Sequence, residues 1–259
     1  MKMKVLCKRV LLTLGVAALS LGAATSSARA DFTIDAFDFI QDVFTKHHNT
    51  SAVAPGIPDV LGGDRKLVLD KTSTNGTLEV DINNNDPGKL DFSGNGTQTT
   101  GTAIAIYDGS TSFTGLGDRG VATNHLDMNV LSNGIGHQPN TGLDINATAD
   151  HGGVSIIATF YDTSGHTSVA TIVPNAVGDN SFTNYFALFT AFSGNADLTH
   201  VAAFTVEIIA TQGGTNVSVD YIATSAISRS VPEPASFALV GLGLLGTGFS
   251  AYRRRKMAV

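Results

Sequence analysis

Between residues 31 and 230 the chain holds two glutamates, Glu79 and Glu207, among 19 aspartates. Hydrolysis of a glycosidic bond needs two carboxylates at a fixed separation, one to protonate the leaving oxygen and one to attack or to activate water. Both glutamates lie between apolar residues, in Leu78-Glu79-Val80 and Val206-Glu207-Ile208. That alternation predicts two solvent-facing strand positions, so no catalytic residue is assigned. The seven histidines, His47, His48, His125, His137, His151, His166 and His200, include no pair at i, i+4 and no multi-ligand cluster of the kind metals favour. His47-His48 offers an adventitious metal contact at most. Thr163-Ser164-Gly165-His166 lacks the Gly-x-Ser-x-Gly elbow of a nucleophilic serine and reads as a turn. Gly115-Leu116-Gly117-Asp118-Arg119-Gly120 has the glycines of a phosphate loop without its lysine, and no helix pattern follows. Asp81 to Gly88 sets side-chain oxygens at alternate positions, as a calcium loop does. The sixth and twelfth places, which need Gly and a bidentate acid, hold Asp86 and Phe92. This segment reads as an Asn/Asp-rich hairpin loop.

The C-terminus carries a different kind of chemistry, that of a substrate. Val231-Pro232-Glu233-Pro234 precedes an uncharged apolar run from Ala235 to Tyr252, and Arg253, Arg254, Arg255 and Lys256 follow at once. Pro232 and Pro234 deny this segment a helical continuation and hold it extended around Glu233, where an enzyme can read it. The 18 residues of the apolar run span about 27 Å as a helix, marginal for a hydrocarbon core of ~30 Å. Gly241, Gly243, Gly246 and Gly248 dilute its leucines, which suits a temporary anchor. The basic cluster places the C-terminus in the cytoplasm by the positive-inside tendency.

The N-terminus agrees with export. Lys2, Lys4, Lys8 and Arg9 form a charged head, Val10 to Ala24 is largely apolar, and Ala28-Arg29-Ala30 is a small-x-small cleavage site. Residues 1–30 are thus expected to be a signal helix removed by signal peptidase, leaving Asp31 first. The single cysteine, Cys7, lies in that head, so the mature chain has neither disulfides nor thiolate metal sites.

The domain between these signals, residues 31–230, carries 7 Lys and Arg against 21 Asp and Glu, a formal charge of −14 that the whole-chain value of −6 conceals. Such a charge argues against nucleic acid as a partner, since binding it depends on neutralising phosphates. About 200 residues suffice for one domain with a sizeable core. Thr77 to Ile82 and Leu126 to Val130 alternate in polarity. Leu67 to Leu69, Ala103 to Tyr107, Val154 to Tyr161, Ser168 to Val173, Tyr185 to Phe189, Val201 to Ile209 and Asn216 to Ala223 are further strand candidates. Asn75-Gly76, Asn95-Gly96, Asn133-Gly134 and Gly213-Gly214 supply turn signals between them. The reading is an all-β antiparallel sandwich, with a short helix between Asp35 and Thr45 competing with a strand and turn there. Trp is absent and Tyr107, Tyr161, Tyr185 and Tyr221 fall in apolar strands, which leaves no obvious aromatic platform for sugar rings.

The tail at 231–259, with its motif at 232–234, its span at 235–252 and its basic cluster at 253–256, resembles the PEP-CTERM sorting signal of Gram-negative bacteria. That resemblance implies processing by an exosortase at Pro232, Glu233 and Pro234. It also implies a single transmembrane helix before processing, and a final place at the cell surface or in the extracellular matrix. Ile34-Asp35-Ala36-Phe37, Tyr107-Asp108-Gly109, Phe204-Thr205-Val206-Glu207 and Val219-Asp220-Tyr221-Ile222 are similar to segments of galactose-binding-like jelly rolls, several of them carbohydrate-binding modules. Val60 to Leu67 resembles a Leu-Gly-Gly-acid-Arg segment of other PEP-CTERM ectodomains. The jelly-roll resemblance implies a structural calcium joining the first and last strands through Asp35 and Asp220. No other cofactor is expected. The function expected is that of a non-enzymatic surface or matrix protein, with exopolysaccharide binding as the alternative and a glycan-active enzyme as a more remote one.

Overall fold

The computed structural model describes residues 32–46, 50–58, 60–84, 87–112, 121–122, 125–132, 139–176 and 181–226. Fourteen strands account for most of them: β1 (Phe32–Asp35), β2 (Gln41–Thr45), β3 (Thr50–Ala54), β4 (Arg65–Lys71), β5 (Thr77–Ile82), β6 (Leu90–Asn95), β7 (Gly101–Tyr107), β8 (Gly142–Ala149), β9 (Val154–Asp162), β10 (Thr167–Ile172), β11 (Thr183–Leu188), β12 (Ser193–Gly194), β13 (Val201–Ala210) and β14 (Asn216–Ser225). They form two seven-stranded antiparallel sheets. Sheet 1 runs β11-β8-β14-β6-β5-β2, with β1 also paired to β14, and sheet 2 runs β12-β10-β9-β13-β7-β4-β3. Successive strands from β6 to β9 alternate between the sheets, and β13 to β14 crosses again.

Alternation along each strand builds the core. In β5 Leu78, Val80 and Ile82 are buried, and in β9 Val154, Ile156, Ala158 and Phe160 are. Each such strand turns one apolar set inward because side chains alternate faces with period two. Phe160 is the aromatic centre, 4.6 Å from Phe204 and 5.7 Å from Phe192 between ring centroids. Offset and tilted arrangements of this kind suit the ring quadrupoles.

Of two local readings, one open alternative is decided and one expectation is corrected. The segment from Asp35 to Thr45 is not a helix. The Asp35 carboxylate accepts the Phe37 backbone N–H at 2.7 Å and turns the chain, and Gln41, Val43 and Thr45 then point inward as a strand. Leu126 to Val130 does not form a strand either. Met128 makes one isolated bridge with Val201, and Val130 donates to the Leu198 carbonyl instead of continuing the ladder.

The Asn/Asp-rich segment after β5 is a hairpin loop. Asn83, at φ 54°, accepts the Gly88 N–H on its side chain, while its own N–H bonds the Lys89 carbonyl at 2.9 Å. Asparagine tolerates this left-handed conformation better than most residues.

Candidate functional site

The outward positions of sheet 1 are polar and acidic. Cross-strand register sets Asp42 opposite Asp81, Asp81 opposite Asp91, Asp91 opposite Ser218 and Ser218 opposite Thr148. The next row on the same face is Phe44, Glu79, Ser93 and Asn216. Side chains directly opposite on neighbouring antiparallel strands stand ~5 Å apart, and like charges there repel. On this face the repulsion adds to the effect of burial. Partial burial, then the charges of Asp42 and Asp81, raise the Glu79 pKa; partial burial, then Asp81, raises that of Asp42. Ser218 donates its hydroxyl to Asp91, and Tyr221 reaches Asp144 at 3.4 Å.

A cleft of about 530 Å³ opens along the second row, lined by Glu79, Ser93, Asn95, Thr97, His151, Asn216 and four glycines. Its wall is made where the loop after β6 meets the turn between β13 and β14. A Cβ on Gly213 would stand 2.4 Å from both Gln98 Cα and the Thr97 carbonyl oxygen, so this approach requires glycine. Asp150 fixes the lining residue Asn216, accepting its backbone N–H at 2.8 Å and its Nδ2–H at 2.9 Å, with His151 Nδ1 2.9 Å away. Phe44 stands beside Glu79 in the register and is 52% exposed. The lining offers hydroxyl, carboxamide, carboxylate and imidazole groups in a volume within the ~300–1,000 Å³ of small-molecule sites. It can hydrogen-bond a polyhydroxylated ligand, and Phe44 adds an apolar ring surface at its side. Sequence reasoning overlooked Phe44, Ser93 and Asn216. The signal available was the outward phase of β2, which pairs Phe44 with Asp42.

Glu207 is placed differently from Glu79. It lies on β13 in sheet 2, with Ile104 and Ile157 as its cross-strand neighbours. Alternation turns it outward, yet it is 7% exposed, which corrects the expectation of a solvent-facing position. A central strand between two isoleucine neighbours leaves little of the side chain to water. Glu79 and Glu207 face away from each other on different sheets, so they do not form the carboxylate pair that glycoside hydrolysis needs.

Of the four tyrosines between residues 31 and 230, Tyr107 is in the core, whereas Tyr161, Tyr185 and Tyr221 are half-buried. Asp35 is fully buried, its carboxylate engaged by Arg65, Tyr107 and the Phe37 N–H. Asp220 is half-buried on β14, at an irregularity in the pairing with β8 between Val219 and Tyr221. Among the described residues no group of three or more His, Cys, Asp or Glu is arranged to hold a metal ion.

His166 belongs to the β9–β10 turn. There Asp162 accepts the N–H groups of Ser164, His166 and Asp197 as well as a contact from the His166 ring. Burial pulls the Asp162 pKa up, but these hydrogen bonds, from Asp197 and His166 foremost, outweigh it and hold the carboxyl at about 2. His200 pairs with Asp127 at 2.8 Å, which raises its pKa.

The cleavage residues Ala28 and Ala30, the motif Pro232, Glu233 and Pro234, the apolar run at 235–252 and the cluster Arg253, Arg254, Arg255 and Lys256 lie outside the described residues, as do His47, His48, His137 and Gly115 to Gly120. Among the described residues no helix is long and apolar enough to cross a membrane.

Residues 230–256 match the family model of the PEP-CTERM protein-sorting motif. The chain carries a PEP-CTERM sorting motif. The matched PEP-CTERM region takes in the Pro-Glu-Pro segment, the apolar run and the basic cluster together. No curated protein matches the chain. Among solved structures it is similar to the family 11 carbohydrate-binding module of the cellulosomal cellulase Lic26A-Cel5E of Clostridium thermocellum, at 12% identity and a TM-score of 0.36, covering 79% of this chain and 99% of that one. A family 29 carbohydrate-binding module complexed with mannohexaose is similar at 11% identity and a TM-score of 0.31, covering 72% of this chain and 92% of that one. The structure of PfGH50B is similar at 11% identity and a TM-score of 0.36, covering 62% of this chain and 23% of that one.

Proposed function

We propose that this is a non-enzymatic protein of the cell surface or extracellular matrix, exported and then sorted by its PEP-CTERM tail. In this reading signal peptidase cuts after Ala30 and the run at 235–252 holds the chain in the membrane with Arg253 to Lys256 on the cytoplasmic side. An exosortase then processes the extended segment at Pro232-Glu233-Pro234. The observation that carries the reading is the match over 230–256, which joins a rigid acidic motif, an apolar span and a basic stop in one order. The test is maturation of Glu233→Ala in a strain that has the exosortase. An unprocessed, membrane-associated form is expected, and normal maturation would overturn the reading.

A second reading concerns the sandwich, taken as a jelly roll because β6 to β9 alternate between sheets. The cleft of sheet 1 favours exopolysaccharide as its ligand: it is wide, polar and flanked by an exposed aromatic ring. Ser93, Asn95 and Asn216 would hydrogen-bond sugar hydroxyls, and Phe44 would stack on a ring face. Uniform failure to bind across a panel of bacterial polysaccharides would remove this reading and leave the first untouched.

A further inference from the structure

Three short motifs far apart in the chain meet at one buried place, where the first strand of sheet 1 lies against β4 and β7 of sheet 2. They are Ile34 to Phe37, Leu61 to Lys66 and Tyr107 to Gly109. Arg65, fully buried at the start of β4, donates from Nη1 to Asp35 Oδ2 at 2.8 Å, from Nε to Gln41 Oε1 at 2.9 Å and from Nη2 to the Phe39 carbonyl at 2.7 Å. Its guanidinium carbon lies 5.8 Å from the centroid of the Phe37 ring. Asp35 is equally occupied. Tyr107 donates its hydroxyl to the same Oδ2 at 2.9 Å, and the Phe37 N–H donates to Oδ1 at 2.7 Å. Burial, then the charge of Asp35, pushes the Tyr107 phenol well above its ordinary pKa, which keeps it protonated as a donor. The two flanking motifs are brought together by glycines. Gly62 has φ 78°, and a Cβ there would lie 2.9 Å from the Gly109 nitrogen.

A calcium ion needs six to eight oxygen ligands turned toward it. Both oxygens of Asp35 face N–H and O–H hydrogens, whose partial charge repels a cation, and Oδ2 is already paired with the guanidinium cation of Arg65. The residues present therefore do not fit the calcium that the jelly-roll resemblance implies at Asp35 and Asp220. We infer that Arg65 is the resident cation of this sandwich: it neutralises Asp35 and ties β1, the turn at 37–40 and β2 to β4, which makes the fold independent of calcium at Asp35. A planar guanidinium suits the place because its fork serves a carboxylate, a carboxamide and a carbonyl at once.

The experiment is thermal unfolding of the full-length chain in mild detergent, with calcium and with chelator, for the wild type and for Asp35→Asn, Arg65→Ala and Arg65→Lys. The wild-type melting temperature is expected to be the same in calcium and in chelator. Arg65→Ala should melt lower by on the order of 10 °C, since it strands a buried carboxylate. Arg65→Lys should recover only part of that loss, and adding Asp35→Asn to Arg65→Ala should recover some of it by removing the stranded charge. A calcium-dependent rise in the wild type that Asp35→Asn abolishes would overturn the inference, and that arm decides even where Arg65→Ala does not fold. Melting of Arg65→Ala at the wild-type temperature would overturn it as well.

Discussion

On sheet 2 the outward positions of β4, β7 and β13 include Val68, Ile104, Ile106, Thr205 and Glu207; on sheet 1 those of β2, β5 and β6 include Asp42, Glu79, Asp81, Asp91 and Ser93. The first set is largely buried, and the second is polar and acidic. Val68, Ile104 and Ile106 form a small second core against Val121, and Ile106 is completely buried. Both ends of the connection from 108 to 122 are tied down over that face. Lys66, also completely buried, pairs with Asp108, which accepts the N–H groups of Ser110 and Ala122 as well. On sheet 1 carboxylates face each other across strands and a cleft stays open. The same period-two pattern thus stabilises through one outer face and costs stability on the other.

The contrast breaks most readily at Lys66. Lys66→Met leaves the buried Asp108 carboxylate without its cation and should cost about 4 kcal/mol, read as a lower urea midpoint at unchanged slope. Ile106→Ala removes the centre of the second core and should cost about 3 kcal/mol in the same assay. The equivalent probe on sheet 1 runs in the opposite direction. Asp42→Asn relieves a like-charge pair with Asp81 and should raise stability by ~0.5 kcal/mol.

The smallest effect is on pH. Glu79 and Asp42 have raised folded pKa values, so the folded state takes up their protons first, and stability rises as pH falls from neutrality through those values. Asp162 is the reverse case. Its folded pKa of about 2 lies below the unfolded value of roughly 3.9, so its contribution is complete above the latter and is lost as pH falls through about 2. Melting temperature against pH should therefore peak in the mildly acid range. Glu79→Gln should flatten the limb above the peak, and Asp162→Asn the limb below it.

The strands with a clear period were legible in the sequence. Thr77 to Ile82 is β5 as read, and Val154 to Tyr161, Val201 to Ile209 and Asn216 to Ala223 fall within or nearly fill β9, β13 and β14. β8 carries no clear strand signal because Gly142 to Ala149 mixes small and polar residues, with Asp144, Asn146 and Thr148 facing out between Leu143, Ile145 and Ala147. The helix that competed with a strand and turn between Asp35 and Thr45 rested on the spacing of Phe37, Phe39, Ile40 and Phe44, which fits a helical period. The turn held by the Asp35 carboxylate overrides that spacing. The outward phase of β2 marks Phe44 and the alternation of β5 marks Glu79, but the cleft as a whole was not legible. Phe44, Glu79, Ser93 and Asn216 share a row only through the register of four strands, and no local pattern encodes that register. The Arg65–Asp35 pair is hidden for the same reason, since its partners stand 30 residues apart.

The most direct test of the division between the two faces is affinity electrophoresis of the full-length protein in gels cast with bacterial exopolysaccharide. Wild type would be compared with Phe44→Ala on sheet 1 and Ile157→Ala on sheet 2. Retardation of the wild type, lost in Phe44→Ala and kept in Ile157→Ala, is the predicted result. Equal migration of all three with and without polysaccharide, or retardation lost only in Ile157→Ala, would contradict the assignment of sheet 1 as the contact face.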